Sequence, residues 1–260
     1  MTAVARGTIL SAVGEARIGP APGPARPGGR NRHALGLFAG LADDYDRWAS
    51  ILSLGQDPRW RRFLVGHVAV PPEASVLDVA CGTGAISLAL VRRHGCRVVA
   101  VDQSPEMLAR ADQRLRAAGV RDRVELLQLA AEELPRNGGR YDGLTCAYLL
   151  RYVDDPARVV AGLVGSLRPG APFAYLDFAV PRGIARPAWE AYTRVGLPLA
   201  GRVIAPAWRE VGRFLHGSIR AFDRAYPPEA LAGLFTAAGC REVRRRSLSL
   251  GGAVAVWGRR

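Results

Sequence analysis

The chain reads as an α/β protein with a doubly wound, mostly parallel sheet, and three features of its 260 residues point there. Short apolar runs alternate strictly with helical patterns between residues 75 and 178. One of those runs passes through a glycine-rich turn into a helix. The chain then closes on two strand-like runs joined by a glycine pair. Alternation of this kind means βαβ units and a parallel sheet. The length suits one such domain carrying an inserted cover, and it can bury a core without disulfide or metal support.

Residues 1–35 are rich in Gly, Pro, Ala and Arg (GPAPGPARPGGRNR), and such a segment buries too little apolar surface to offset its ordering entropy. A disordered arm is expected there, with residues 36–260 forming one domain. A helical stretch covers about 36–70. Strands are predicted at Ser75–Val79, Arg97–Val101, Arg123–Leu129, Tyr141–Ala147 and Pro172–Phe178, and helices at Ala85–Arg93, Pro105–Ala118 and Pro156–Leu167. Ser104 before Pro105, with Glu106 behind it, starts a helix that Gly119 stops. After a helix at Pro228–Ala238, the runs Arg241–Leu248 and Ala253–Gly258 meet through Gly251-Gly252. That hairpin brings the sheet to seven strands and makes one of them antiparallel, a Rossmann-like sheet with a C-terminal hairpin strand. Residues 181–226 are inserted before the last helix and carry Trp189, Tyr192, Trp208 and Phe214. They form a lid over the carboxyl edge of the sheet, or a helical pair that only packs on it.

Composition excludes several chemistries. The formal charge is +13, yet the chain has no lysine, so all 36 basic residues are arginine. A Walker A loop and a Schiff-base nucleophile are thereby ruled out. The arginines are dispersed, and the densest run, Arg244–Arg246, falls in an edge strand; a nucleic-acid partner is not expected. An anionic membrane surface or an acidic substrate could use the same charge. Cys81, Cys96, Cys146 and Cys240 show no metal-ligand spacing with His33, His67, His94 or His216, so no metal site is read. No apolar run reaches the roughly 20 residues of a membrane span. The first thirty residues carry no secretory pattern, and a cytoplasmic location is the expectation.

The most informative stretch runs from Val76 through Asp78, Val79, Ala80, Cys81, Gly82 and Thr83 to Gly84: a strand, a tight turn and a helix start. Gly82 and Gly84 are expected to let backbone approach a ligand that a Cβ would displace, beside the unpaired N–H groups of the helix. Asp78 is expected to accept hydrogen bonds from the amino-acid part of a cofactor. The next strand ends in Asp102-Gln103-Ser104, and an acid there can take both ribose hydroxyls. A dinucleotide fingerprint needs Gly or Ala where this chain has Ser87, and Asp78 would repel a pyrophosphate. An acid suits S-adenosylmethionine, which carries a sulfonium and an ammonium, with NAD or FAD and an empty structural turn as the alternatives. Met107 is placed to line an adenine pocket, or to pack beneath its helix.

At this point the sequence resembles the ubiquinone/menaquinone biosynthesis C-methyltransferases, a family of class I S-adenosylmethionine-dependent methyltransferases. The loop DVACGTG resembles their glycine motif. Phe38, Tyr45-Asp46, Leu52 to Asp57 and Trp60-Arg61 resemble the N-terminal signature "YD…LS-x-G-x-D-x-x-WR". Ala147 to Val153 resembles a fourth-strand motif that usually reads "FGLRN", with Leu149 and Tyr152 in place of its Gly and Asn and with Arg151 kept. Arg168-Pro169-Gly170 and Leu176-Asp177-Phe178 resemble "LKPGG…LEF". The likeness spans about 36–260. It implies methyl transfer to a demethylmenaquinol-type ring. Arg151 would sit near the acceptor, stabilising a phenolate or holding a water, and Tyr45 would face the acceptor. Ala130, within Leu129-Ala130-Ala131-Glu132, stands where the family's adenine-binding acid would be; this segment and Ala147 complete the implied cofactor wall.

Bland roles stand beside these. Arg151 could pair on the surface with Asp154 or Asp155, Tyr45 could pack its helix, and His216 in the lid is either a base or a structural histidine. Rival functions are a tailoring C- or O-methyltransferase on a polyketide or other phenol, an RNA methyltransferase, and a non-catalytic protein that keeps the cofactor fold. A prenylated quinol would have to be drawn from a bilayer, which implies transient contact with anionic lipid at the inner membrane face. A homodimer is a further expected partner state.

Overall fold

The computed structural model describes residues 44–134, 139–204 and 206–260, together with Gly36. The expected arm, 1–35, and Phe38 lie outside them. Strand alternation builds the core. In β1 (Ser75–Val79), Val76 turns to one face of the sheet, and Leu77 and Val79 turn to the other. The same alternation continues in β2 (Arg97–Asp102), β4 (Gly143–Ala147) and β5 (Pro172–Phe178). Strands apolar on both faces need cover on both. On the Val76 side, Trp60 and Leu64 of α2 (Asp57–Gly66), Ile86 and Leu90 of α3 (Ala85–His94) and Leu108 and Leu115 of α4 (Pro105–Ala117) supply it. On the Leu77 side it comes from Val159 and Leu163 of α5 (Pro156–Gly165) and Leu231 and Phe235 of α9 (Pro228–Ala237), with Phe235 stacked 4.6 Å from Phe173.

With β3 (Val124–Gln128), β6 (Arg241–Leu248) and β7 (Ala253–Arg259), the sheet order is β3-β2-β1-β4-β5-β7-β6. β1 to β5 are parallel, and β7 runs antiparallel to both β5 and β6. The seven-stranded sheet with its closing hairpin is as the sequence predicts. Chain direction across the sheet reverses between β1 and β4, and the carboxyl ends of that pair open a crevice where α/β sheets hold ligands. The Ser104 cap is real: its Oγ accepts from the Met107 amide at 3.2 Å, and Gly119 closes the helix region at φ +69.

Two short helices, α1 (Tyr45–Leu52) and α2, precede the sheet. The 181–226 insertion becomes α6 (Arg186–Ala191), a π-turn at Tyr192–Gly196, α7 (Leu197–Ile204) and α8 (Pro206–Ala225). α7 and α8 cross backbone to backbone. A Cβ on Gly201 would lie 2.5 Å from the Trp208 carbonyl oxygen, and one on Gly212 would lie 2.9 Å from the Leu197 carbonyl carbon. Gly212→Ala therefore has to push α7 off α8; we expect about 1–3 kcal/mol of lost stability in urea unfolding, in the range of other overpacked contacts.

Candidate active site

Above the carboxyl ends of β1, β2, β4 and β5 lies a cavity of about 370 Å³. One half is walled by the turn after β1. Ala80, Cys81, Gly82 and Thr83 line it, joined by Asp102 and Gln103 at the end of β2, Ser104 and Met107 at the start of α4, and Leu129, Ala131, Glu132 and Ala147. Asp102 is both brace and candidate ligand. Its Oδ2 accepts from the Gly82 amide at 2.8 Å and its Oδ1 from the Ser104 amide at 3.0 Å, and the residue lines the cavity. Burial raises its pKa against those backbone donors. Gly82, at φ +53, faces open space: a Cβ on it would meet no atom within 4 Å. A carboxylate at a strand end, an open glycine and an apolar slot beside Met107 fit a ribose-bearing adenine cofactor.

Four expected cofactor or catalytic contacts are placed elsewhere. Asp78 is fully buried and does not line the cavity. Alternation turns it toward α3, where its carboxylate accepts from Ser87 Oγ at 2.5 Å and Thr145 Oγ1 at 2.7 Å. Gly84 is needed for packing: at φ +75, its Cβ would lie 3.0 Å from that of Ala111 on α4. Ala130 precedes a 3-10 turn and stands outside the cavity wall, its amide donating to Glu133. His216 also stands outside. Its Nδ1 lies 2.9 Å from Thr193 Oγ1, its Nε2 lies 3.6 Å from Glu190, and its ring packs on Trp189.

The other half of the cavity is aromatic. Tyr45, Trp60, Tyr148, Tyr152, Phe178, Trp189, Tyr192 and Trp208 contribute, with Leu52, Leu197, Leu215 and Ile219 between them. Tyr45 stacks on Trp208 at 6.0 Å, and burial pushes its phenol well above the ordinary range. Tyr148 adopts φ +58, a left-handed conformation that bulky residues rarely take. That backbone lays its ring on Phe178 at 4.7 Å while its hydroxyl donates to Asp57 Oδ1 at 2.7 Å.

Arg151 stands at the end of this chamber, in a 3-10 turn after β4, 5% exposed. Its Nε donates to Asp177 Oδ1 at 2.6 Å and its Nη1 to Ser218 Oγ at 3.2 Å. The Tyr175 hydroxyl holds the other Asp177 oxygen at 2.5 Å. Neither Asp154 nor Asp155 is its partner; Asp155 instead caps α5 through the Arg158 amide. Burial works against the charge of Arg151, and Asp177 outweighs it, keeping the guanidinium protonated. Its Nη2 is the one buried side-chain nitrogen or oxygen among the described residues with no hydrogen-bond partner. Two of the guanidinium's nitrogens are thus fixed by protein, in a residue that lines the cavity wall.

A family model for the ubiE/COQ5 methyltransferases matches residues 29–260. The chain belongs to the ubiE/COQ5 methyltransferase family. It is 36% identical over 224 residues to the ubiquinone/menaquinone biosynthesis C-methyltransferase UbiE of Desulfotalea psychrophila, covering 85% of this chain and 88% of that protein. It is 32% identical over 226 residues to a demethylmenaquinone methyltransferase of Lactiplantibacillus plantarum, covering 86% and 94%. The fold matches the crystal structure of a SAM-dependent methyltransferase from Aquifex aeolicus with a TM-score of 0.52, at 17% identity, over 76% of this chain and 88% of that one. As a methyltransferase of this family, the chain is an enzyme whose methyl donor is S-adenosylmethionine.

In this family member, residues quoted only inside the fourth-strand motif (Tyr148, Leu149, Tyr152) prove to be cavity wall, as does Phe178 at the end of β5. The rule that ligands sit at strand carboxyl ends could have found them. Thr193 and Ser218, from the insertion, gave no sequence signal. Asp78 supplies a test of its reassignment. Burial pushes its carboxyl up to about 6, with Ser87 and Thr145 pulling the other way. The folded chain thus holds a proton there that the unfolded chain has released, so this group's contribution to stability falls as pH rises from about 4 to about 6. Asp78→Asn should remove a slope on the order of 3 kcal/mol across that window, read as the difference between wild type and variant in urea unfolding at both ends.

Proposed function

We propose that the chain methylates a ring carbon of a demethylmenaquinol-type hydroquinone, with Arg151 holding a ring oxygen. The observation that supports this reading is a buried, charged Arg151 held by Asp177 in the wall of a largely aromatic and apolar chamber. S-adenosylmethionine, when bound, supplies an activated methyl group; the chain's task is placement, and proximity of this kind lowers a barrier by roughly 7–11 kcal/mol. Asp102, Gln103, Met107, Ala131, Glu132 and Ala147, with the turn at 80–83, would hold the donor.

Carbon methylation needs an electron-rich ring, best reached by releasing a proton from a ring hydroxyl. Arg151 stays charged, so it would act as a donor that favours the phenolate rather than as a base; the hydroxyl proton would pass to water, and the hydrogen on the methylated carbon would then leave for the ring oxygen, so that one proton is lost overall. An oxygen already bonded to a guanidinium is a poorer nucleophile than the carbon beside it, which favours C- over O-methylation. Tyr148, Tyr152 and Phe178 would wall the ring's pocket, the last two with ring centroids 4.8 and 5.1 Å from the Arg151 Cζ. Tyr45 would close the chamber from α1.

The test is product formation: purified protein, S-adenosylmethionine and chemically reduced demethylmenaquinone should give one added methyl by mass spectrometry. Arg151→Lys, which keeps the charge and loses the fork, should cut kcat by roughly 100-fold at nearly unchanged donor affinity. Product from a phenolic polyketide but none from the quinol would overturn the acceptor and favour a tailoring enzyme, for which Leu149 and Tyr152 in the wall would be the reason.

The prenyl tail of such a quinol has to be reached in a bilayer. Among the described residues no helix is long and apolar enough to cross a membrane. The insertion instead exposes Ile184, Val195, Leu199 and Val203, with Arg182, Arg186, Arg194 and Arg202 exposed among them. Leu54 on the cavity wall and Leu250 beside wall residue Ser249 are exposed too. Apolar side chains interleaved with arginines suit an anionic lipid surface better than a second copy of this chain. Vesicles containing phosphatidylglycerol should bind the protein at low salt and release it at high salt, and Leu199→Asp with Val203→Asp should weaken binding at least tenfold. Concentration-dependent dimerisation without vesicle binding would reverse the assignment.

A further inference from the structure

The acceptor chamber and the cofactor turn share a connection that runs through the first helix. α1 has no fully buried residue and no side-chain cap, and eight residues are too few for a helix to persist on its own. Its place is set by three tethers. Tyr45 stacks on Trp208, the Leu52 carbonyl accepts from the Tyr192 hydroxyl at 2.5 Å, and Asp46 reaches the turn after β1. The Asp46 tether is the most elaborate. Its Oδ2 accepts from Thr83 Oγ1 and from Arg114 Nη2, each at 2.5 Å, and its Oδ1 from Arg61 Nη1 at 2.9 Å. Thr83 Oγ1 in turn accepts from Arg114 Nη1 at 3.0 Å. Burial works against the charge of Asp46, but Arg61, Thr83 and Arg114 outweigh it and hold the carboxyl below its ordinary value.

The network continues past Asp46. Arg61 Nε donates to Asp57 at 3.1 Å, and Asp57 receives the hydroxyl of Tyr148 in the aromatic half. One chain of charged hydrogen bonds thus spans Thr83 at the cofactor end, Asp46, Arg61, Asp57 and Tyr148 at the acceptor end. Tyr45, Ala49 and Leu52 of α1 line the same cavity.

We propose that Asp46 is a positioning residue, a latch that makes cofactor binding and closure of the acceptor chamber one event. With the latch made, the turn is held by Thr83 and α1 is held over the chamber. With it broken, α1 loses its charged tie to the turn and keeps its apolar packing on Trp208 and Val211 and the Tyr192 hydrogen bond, and the turn loses its hydroxyl anchor. A ligand that needs the ordered turn therefore stabilises α1, and by reciprocity an ordered α1 tightens that ligand. The proposal rests on S-adenosylmethionine as the donor and not on the identity of the acceptor.

Hydrogen exchange across residues 45–52 of the full chain, with and without S-adenosylhomocysteine, reads the latch directly. In the wild type the ligand should slow exchange there by roughly tenfold, a typical coupling between linked sites. Asp46→Asn should abolish that protection and weaken S-adenosylhomocysteine in titration calorimetry by about tenfold. Arg114→Gln, which leaves α1 intact, should act in the same direction and guards against a folding defect in the first variant. Full ligand affinity with unchanged exchange at 45–52 in the wild type, or both variants retaining protection, would overturn the latch. Absence of S-adenosylhomocysteine binding by the wild type would overturn the donor and the latch together, whereas a failure of the quinol as acceptor leaves this result standing.

Discussion

The buried pair of Arg151 and Asp177 is the constraint around which the site is arranged. Their side chains are 1% and 0% exposed, and taking two charges out of water costs several kcal/mol per ion unless every remaining hydrogen-bonding position is filled. Asp177 meets that demand: one oxygen takes Arg151 and the Phe178 amide, and the other takes the Tyr175 hydroxyl. Arg151 does not, because Nη2 is left over. A fold selected for stability alone would do better with apolar side chains here. Asp177, Tyr175 and Ser218 fix the orientation in which the guanidinium is held in the cavity wall.

That reading gives the neighbouring residues their roles. Tyr175 and Asp177 stand two apart on β5 and share one face of the sheet, so the strand's own period brings hydroxyl to carboxylate. Phe178, the next residue, turns to the other face and stacks with Tyr148. The positive φ of Tyr148 is strained for an aromatic residue. Its strain is offset by that stacking and by the hydrogen bond to Asp57, which ties the end of β4 to α2. The aromatic half of the cavity is therefore assembled from strand ends and fixed by polar contacts behind it.

Much of this was legible in the sequence, and the gaps have a common cause. Strand and helix positions followed from apolar periodicity, and the closing hairpin from Gly251-Gly252, because those signals are local. Asp102 could be placed as well, since a strand-terminal acid after a glycine turn has few other uses. Asp78 has the same residue type and an equally suggestive place, yet it lies where alternation turns it under α3, and only the positions of Ser87 and Thr145 reveal that. Gly84 was legible as a required glycine but not as one required by Ala111. His216 could be seen to lie in the insertion, but not that Thr193 and Glu190 occupy its nitrogens. Sequence gives residue type and order; which face a side chain presents, and which partner reaches it first, depend on residues far along the chain.

The two halves of the cavity also differ in charge, and the difference follows from the fold. Asp102 and Glu132 stand at the ends of the β2 and β3 side of the switch point, and Arg151 stands on the β4 side. A cation is favoured in the first half and an anion in the second. Under the proposed reaction, a cationic donor and an anionic ring would each meet the opposite charge in its own half of one cavity, with the reacting atoms in contact where the halves join. The site arginines, Arg151 and Arg61, are held by Asp177 and by Asp46 and Asp57, whereas Arg182, Arg186, Arg194 and Arg202 of the insertion are exposed among apolar side chains.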